Sequence, residues 1–219
     1  MSVFNRSLLI SISICVSVFS TTVQAEKQCP APDQKTKESI VLIEAGDSIG
    51  SGIVISENQI LTAAHVVKDA THVVIKIGDQ LIPATVISKH KKSDLALIQT
   101  TRLPIKPIHF ATEKRLKHEW VWAMGYPMGQ SQISASGRYK GTWLNSVYTS
   151  ASVNYGQSGG GLIACEQGQH VLAGMVRAFA ATKIDGKLVR RDDLSVATGI
   201  NQIRNFLTSN QLAMSSTNQ

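Results

Sequence analysis

Residues 39–64, SIVLIEAGDSIGSGIVISENQILTAA, hold three short apolar runs that are separated by glycine, aspartate, serine and asparagine. Each run is rich in isoleucine, leucine and valine, which favour strands, whereas the separating residues favour turns. Similar runs follow at 72–78, 80–88, 95–100, 120–126, 132–144, 146–152, 161–165 and 171–180. Short strands at such regular spacing predict an all-β fold.

The runs fall into two groups of about six, separated by residues 101–119, TRLPIKPIHFATEKRLKHE. The prolines of this segment cannot lie in a central strand. We therefore predict two six-stranded antiparallel β-barrels, at about 39–100 and about 120–200, with one functional site between them.

The last segment has a different periodicity. In INQIRNFLTSNQL the apolar side chains of Ile200, Ile203, Phe206 and Leu207 recur at helical spacing. This pattern predicts a C-terminal α-helix at about 200–212, and the polar residues 213–219 are expected to form a flexible tail.

Residues 1–25 have the pattern of a secretory signal peptide: Arg6, an apolar run at 8–19 and the small-residue ending Val-Gln-Ala. The apolar run is shorter than the ~20 residues that a membrane-spanning helix needs. We expect cleavage near Ala25, an N-terminal segment at 26–38, and an exported chain, periplasmic or secreted, with no stable membrane insertion.

The charge of the chain is moderately basic, with 22 Lys and Arg against 15 Asp and Glu. The excess is scattered over short loops and is not interleaved with aromatic residues, so a nucleic-acid partner is not predicted. No CxxC or Cys/His cluster has zinc spacing, and we predict neither a metal nor a cofactor. Outside the signal peptide, Cys29 and Cys165 could form a disulfide, or Cys165 could be a small buried hydrophobic residue.

A glycine-rich stretch, YGQSGGGLIAC at 155–165, places Ser158 before a strand-like run. It lacks the lysine and spacing of a phosphate-binding loop, and apolar runs on both sides argue against a linker. A serine nucleophile needs a base, because a free hydroxyl is weakly nucleophilic. His65 directly follows a strand-like run in ILTAAHVVKDA. Asp94 opens another run in KKSDLALIQ, and by itself it could be only a turn residue.

TAAHVV, SDLALI and GQSGGGLI stand in the order His, Asp, Ser, the chain order of chymotrypsin-like proteases. With GSGIVIS and WAMGYPMG, they make the sequence closely resemble the trypsin-like protease domain of the HtrA (Deg) family. The resemblance implies a serine protease domain at 39–212. Ser158 would be the nucleophile, His65 the general base and acid, and Asp94 the carboxylate that orients the imidazole. The N–H groups of Gly156 and Ser158 would form the oxyanion hole.

The sequence departs from the family pattern in two places. HtrA proteases usually carry PDZ domains after the protease, and we expect none here, since few residues follow Ser158. Gln157 stands where the family usually has Asn and digestive trypsin-like enzymes have Asp. A neutral residue there cannot pair with a new N-terminus, so we expect a site that is competent without zymogen cleavage.

By the resemblance, the pocket for the substrate residue before the cleaved bond (P1) is lined by Ser152, Tyr155, Arg177 and Phe179. Residues 152–155 and 177–179 contain no Asp or Glu, so a preference for Lys or Arg at P1 is not supported. We expect a small or medium apolar P1, with an acidic P1 favoured by Arg177 as the alternative. The predicted function is an exported serine endopeptidase that acts on polypeptides through an acyl-enzyme. The alternatives are a non-catalytic binding module for exported polypeptides and an esterase with the same triad.

Overall fold

Twelve strands form two closed antiparallel barrels in the computed structural model, which describes residues 29–216. The fold predicted from the sequence, two six-stranded barrels with a C-terminal helix, is confirmed. The predicted signal peptide, residues 1–25, lies outside the described residues, as do residues 217–219.

The first barrel is closed in the order β1-β2-β3-β6-β5-β4. Its strands are β1 (Ile40–Ala45), β2 (Ser48–Val54), β3 (Gln59–Thr62), β4 (His72–Ile77), β5 (Gln80–His90) and β6 (Leu95–Gln99). Large aliphatic side chains such as Ile43, Ile60 and Ile98 fill its interior and are fully buried. Their burial removes apolar surface from water, which is the main favourable term in folding.

The second barrel is closed in the order β10-β11-β12-β9-β8-β7. Its strands are β7 (Trp120–Gly125), β8 (Ile133–Trp143), β9 (Ser146–Thr149), β10 (Gly161–Glu166), β11 (Gln169–Ile184) and β12 (Lys187–Gly199). The sequence runs did not include β12, and they ended β11 too early, at residue 180. The two strands extend beyond the barrel as a hairpin with an exposed tip. Because this hairpin buries few side chains, its sequence lacks the apolar pattern of the other strands.

Three α-helices are described: α1 (Gln34–Glu38), α2 (Ala64–Val67) and α3 (Ile200–Ser216), together with a 3₁₀ turn at Pro127–Gly129. The predicted apolar stripe holds, because Ile203 and Phe206 of α3 are buried in the main core. The helix continues past the predicted end at residue 212. Between residues 29 and 216, no helix has the length and apolar character needed to cross a membrane.

The connection between the barrels is bound to β10. Glu166 accepts hydrogen bonds from the backbone N–H groups of Thr112 and Glu113 and from the guanidinium of Arg115. Burial by itself raises the pKa of Glu166, but these hydrogen bonds and the Arg115 charge together hold it below its usual value. The neighbouring Cys165 forms a disulfide with Cys29, with their Cα atoms 5.6 Å apart.

Candidate active site

His65 lies where β3 ends and α2, a single helical turn, begins. The first N–H groups of a helix have no partner within the helix. Asp94 binds two of them: its carbonyl oxygen accepts from Ala64 N, and its carboxylate Oδ1 accepts from His65 N at 3.0 Å. The backbone of His65 is therefore fixed against the turn that carries Asp94.

The same carboxylate also orients the imidazole. Asp94 Oδ2 lies 2.8 Å from His65 Nδ1. A carboxylate is an acceptor, so this contact places the ring proton on Nδ1 and leaves Nε2 with a free lone pair. The Asp94 side chain is 14% exposed and that of His65 is 50% exposed. Asp94 adopts a positive φ of 55°, which Asp tolerates better than most residues.

The Ser158 loop is held by Ser51, a fully buried residue of β2. Ser51 N donates to the carbonyl of Ser158 at 2.8 Å, and Ser51 Oγ donates to the carbonyl of Gly156 at 2.8 Å. Tyr126 N donates in turn to Ser51 Oγ. A side chain on Gly160 would come within 2.0 Å of the Met124 carbonyl. The glycines thus allow close backbone packing, and the loop is well anchored rather than flexible.

The hydroxyl of Ser158 donates to the carbonyl oxygen of Arg177 at 3.0 Å, rather than to the His65 ring. Arg177 lies at a bulge, where the β11–β12 register shifts between Val176 and Ala178. Its own Nε is 3.6 Å from Asp94 Oδ2. A continuous chain of contacts therefore connects Ser158, through Arg177 and Asp94, to His65.

Two N–H groups of the serine loop have no acceptor among the described residues. Gln157, Gly159 and Gly160 each donate to a backbone carbonyl, whereas Gly156 N and Ser158 N do not. The carbonyl of Tyr155 accepts from Met128 N at 2.8 Å. Because a trans peptide directs its C=O and N–H to opposite sides, this contact turns the Gly156 N–H away from Met128. Gly156 has a φ of +88°, and a Cβ there would meet the Tyr126 carbonyl at 2.4 Å.

Gln157 is completely buried beneath this loop. Its Oε1 accepts from Asn154 N at 2.7 Å, and its backbone N–H donates to the Asn154 carbonyl. Its Nε2 has no hydrogen-bond partner within the described chain. The side chain is uncharged and is held locally, so it presents no carboxylate to an arriving cation.

The four pocket residues that the resemblance implied do not all lie in one place. Tyr155 and Phe179 form an edge-to-face pair with ring centroids 5.2 Å apart. Arg190 of β12, a residue that the sequence did not point to, contacts both Ser152 and Phe179. It thereby connects Ser152 to the aromatic pair. Arg177 instead directs its side chain to Asp94.

The His65 side chain is half exposed, and Ser158 is partly buried. Cavities of about 800, 290 and 670 Å³ occur elsewhere, and none of them is lined by His65, Asp94 or Ser158. In the part of the chain that the structure describes, no group of three His, Cys, Asp or Glu side chains is placed to hold a metal ion.

Two six-stranded barrels with a His–Asp pair facing a glycine-rich serine loop define the chymotrypsin-like class of folds. Comparison with known families agrees: the trypsin-like peptidase domain matches residues 50–175, a range that includes His65, Asp94 and Ser158. The chain belongs to this family.

Curated relatives carry protease names. The chain is 31% identical over 126 residues to a probable periplasmic serine endoprotease, DegP-like, of Pseudomonas putida, which covers 52% of this chain and 26% of that protein. It is 34% identical over 129 residues to the serine protease Rv3671c of Mycobacterium tuberculosis, which covers 52% of this chain and 32% of the relative. The chain thus matches between about a quarter and a third of the length of these relatives.

Solved structures show the same fold. The Rv3671c protease in its inactive form is similar with a TM-score of 0.67 and 25% identity, covering 83% of this chain and 98% of the other. The serine endoprotease from Yersinia pestis has a TM-score of 0.69 and 20% identity, covering 82% and 67%. The second likeness supports the fold alone.

Proposed function

We propose that this chain is a serine endopeptidase that hydrolyses polypeptides through His65, Asp94 and Ser158. The observation that carries the proposal is the contact of both Asp94 carboxylate oxygens with His65, one with its backbone N–H and one with its ring. A carboxylate in this position keeps the imidazole in one tautomer and stabilises it once protonated. The protease names of the relatives support the same activity.

The reaction begins with a rotation of the Ser158 side chain. Its hydroxyl leaves the Arg177 carbonyl and turns toward His65 Nε2. His65 removes the hydroxyl proton as Ser158 Oγ attacks the substrate carbonyl carbon. His65 then returns that proton to the departing amine, which leaves an acyl-enzyme. Water, activated by the same base, releases the acid and restores Ser158.

The oxyanion hole that we propose is formed by the N–H groups of Gly156 and Ser158. Between residues 29 and 216 neither group has a protein acceptor, and the Tyr155–Met128 hydrogen bond supports the orientation of the first. Both would donate to the negative oxygen of the tetrahedral intermediate, where one such donor contributes about 10²–10³ in rate.

The proposed site needs no trimming of the N-terminus. Gln157 is neutral, buried and bound to Asn154, so no cation has to arrive to hold the serine loop. We expect protein whose N-terminal segment is intact, as verified by mass spectrometry, to hydrolyse peptides without prior activation. A requirement for N-terminal trimming before any reaction would contradict this part of the proposal.

We also propose that the protein is exported. The leader-like residues 1–25 support this, as does the word periplasmic in the names of several relatives. The Cys29–Cys165 disulfide supports it as well, because disulfides persist mainly in oxidising compartments. Neither nucleic acid nor a cofactor has a part in the proposed function.

Labelling with a fluorophosphonate tests the proposal, because this reagent reacts with activated serine nucleophiles. We expect the parent protein to be labelled at Ser158 and the Ser158→Ala variant to remain unlabelled. Ser134→Ala is the matched control: Ser134 Oγ is a buried hydroxyl without a partner in the described chain, so that variant should label like the parent. An unlabelled parent would favour the binding-module alternative, and hydrolysis of esters without peptides would favour an esterase.

A further inference from the structure

Arg190 is held beside the serine loop by contacts on three sides. Its Nη1 donates to Asn154 Oδ1 at 2.9 Å, and its Nη2 donates to Ser152 Oγ at 3.3 Å. Its guanidinium carbon lies 5.1 Å from the centroid of the Phe179 ring, a cation–π contact. The cation is therefore fixed among the residues that the P1 pocket would use, although it belongs to β12, the second strand of the β11–β12 hairpin.

The charge of Arg190 is only weakly compensated there. Its Nε is 2.8 Å from Asp192 Oδ1, but the pair lacks hydrogen-bond alignment, and Asp192 is 79% exposed. Ion pairs with a partner so exposed are weak. No acid occurs in residues 151–155 or 177–181, the two stretches that border the pocket. Guanidinium N–H groups that neutral partners do not use remain for a ligand.

Arg177, by contrast, is committed elsewhere. Its Nε faces the Asp94 carboxylate at 3.6 Å, and its carbonyl accepts from Ser158. Arg177 is therefore poorly placed to bind an acidic P1 side chain, whereas Arg190 lies beside Ser152 and Phe179.

We propose that the P1 pocket accepts an acidic side chain and that Arg190 is the residue that determines this specificity; the inference rests on the proposed endopeptidase function. The substrate class is polypeptide cleaved after Glu or Asp. A carboxylate binds the planar guanidinium through charge-assisted hydrogen bonds, which are stronger than neutral ones. The Tyr155 and Phe179 rings provide an apolar wall for the methylene groups of such a side chain.

The same arrangement rejects other P1 residues. A Lys or Arg at P1 would meet the Arg190 cation, and only the exposed Asp192 carboxylate would offset the repulsion. An apolar P1 would displace water from the guanidinium and offer no acceptor to the N–H groups that Asn154 and Ser152 leave unused, which costs free energy. Specificity thus comes both from the attraction of the acid and from the penalty for its competitors.

A set of fluorogenic peptides that differ only at P1, with Glu, Asp, Ala, Leu and Lys, tests the inference. We expect kcat/KM for Glu or Asp to exceed that for Leu by about 10- to 100-fold, the range of one charge-assisted interaction. In Arg190→Met the preference should disappear while Leu and Ala peptides are cleaved at least as well as before. Arg190→Lys should keep part of the preference, because it keeps the charge but not the fork.

Arg191→Met is the matched control. Arg191 is the next residue along β12 and pairs with Asp193, so the variant loses one positive charge without touching the pocket. Its P1 preference should equal that of the parent. Fluorophosphonate labelling of every variant reports on Ser158 independently of P1, and an Arg190→Met protein that labels normally has a folded site.

Each outcome decides between the two claims. A parent that labels and cleaves best after Leu or Ala overturns the inference and leaves the endopeptidase function standing, as does an equal loss of preference in Arg191→Met. A parent that neither labels nor cleaves any peptide overturns the proposed function itself, and the inference with it.

Discussion

The two barrels hold their halves of the site in different ways. In the first barrel, a side chain fixes a side chain: the Asp94 carboxylate binds both the backbone and the ring of His65. In the second barrel, the backbone of the serine loop is fixed through Ser51, but the Ser158 hydroxyl is bound to the Arg177 carbonyl. The proposed base is therefore already in its working orientation, whereas the proposed nucleophile has still to turn.

This difference separates two kinds of substitution. Changes at Asp94 act on the protonation state of His65 and so on the chemical step. Changes at Ser51 act on the position of the peptide groups around Ser158. The first barrel also contributes to both halves, because Ser51 belongs to β2.

The largest effect is expected for Asp94→Asn. An amide in this position can donate to His65 Nδ1, which would move the ring proton to Nε2 and remove the base. We expect kcat to fall by about 10⁴ with little change in KM. Steady-state kinetics on the best peptide substrate measure it. Asp69→Asn, an exposed acid near α2, is the control and should retain parental kcat. A variant that kept a tenth of the parental kcat would contradict the role of Asp94.

The next effect concerns stability in the second barrel. Glu166→Ala removes the nearest carboxylate of the buried Arg115, which keeps Glu119 at 3.2 Å, and leaves the N–H groups of Thr112 and Glu113 without their acceptor. We expect the free energy of unfolding to fall by about 3 kcal/mol. Urea unfolding measures it. The control is Glu57→Ala, which breaks an exposed pair with Arg102 and should cost less than about 1 kcal/mol.

The pH dependence of this effect has a defined sign. The pKa of Glu166 is lowered on folding, so its charge stabilises the fold fully above about pH 4.3, the ordinary glutamate value. That contribution is lost as the pH falls through the lower, folded pKa. The difference in unfolding free energy between the parent and Glu166→Ala should therefore shrink below about pH 4 and be constant between about pH 6 and 8. A difference that grew on acidification would contradict the assignment.

A smaller loss is expected for Ser51→Ala. It removes the hydroxyl that binds the Gly156 carbonyl and receives Tyr126 N. A displacement of the proposed oxyanion donors of about 1 Å would cost up to about 10²-fold, so we expect kcat/KM to fall about 10- to 100-fold. The loss should appear in the rate of fluorophosphonate labelling as well as in peptide hydrolysis, whereas Ser134→Ala should leave both rates unchanged. Equal rates in the two variants would show that Ser51 has no positioning role.

The smallest effect is expected at the entry to the first barrel. Asp33 caps α1, since its carboxylate accepts from Thr36 N at 2.9 Å. Asp33→Ala should lower the free energy of unfolding by about 1 kcal/mol. We expect kcat to stay unchanged, because the hydrogen bonds of residues 33–38 do not involve His65 or Ser158. Urea unfolding and peptide kinetics measure the two quantities, with Asp69→Ala as the control. A change in kcat would connect this helix to the site and weaken the contrast between the barrels.

Much of this architecture is readable from local sequence. The apolar runs of the first barrel are buried and regular, as Ile40, Ile53 and Ile60 illustrate, and burial on one barrel face produces a visible pattern. The positions of His65, Asp94 and Ser158 follow from motifs that each adjoin a strand. Such features depend on residues that are near one another in the chain.

The features that the sequence reasoning missed depend on residues far apart in the chain. Arg190 reaches Ser152 and Asn154 only because a long exposed hairpin pairs β11 with β12. Ser51 reaches Gly156 across the junction of the two barrels, and a serine in a strand gives no local sign of it. The Arg177 side chain turns to Asp94 because of a β-bulge, which shifts the register without a marker in the sequence.

The Cys29–Cys165 disulfide makes a closed covalent ring of all the chain between its two cysteines. The first barrel and the connection at 101–119 lie inside that ring. A single cut within the connection would open the ring and give two polypeptides but release neither barrel, since the two pieces would stay joined through sulfur. For a chain proposed to hydrolyse peptide bonds, one self-inflicted cut of this kind would leave its size in non-reducing electrophoresis unchanged and would be visible only after reduction.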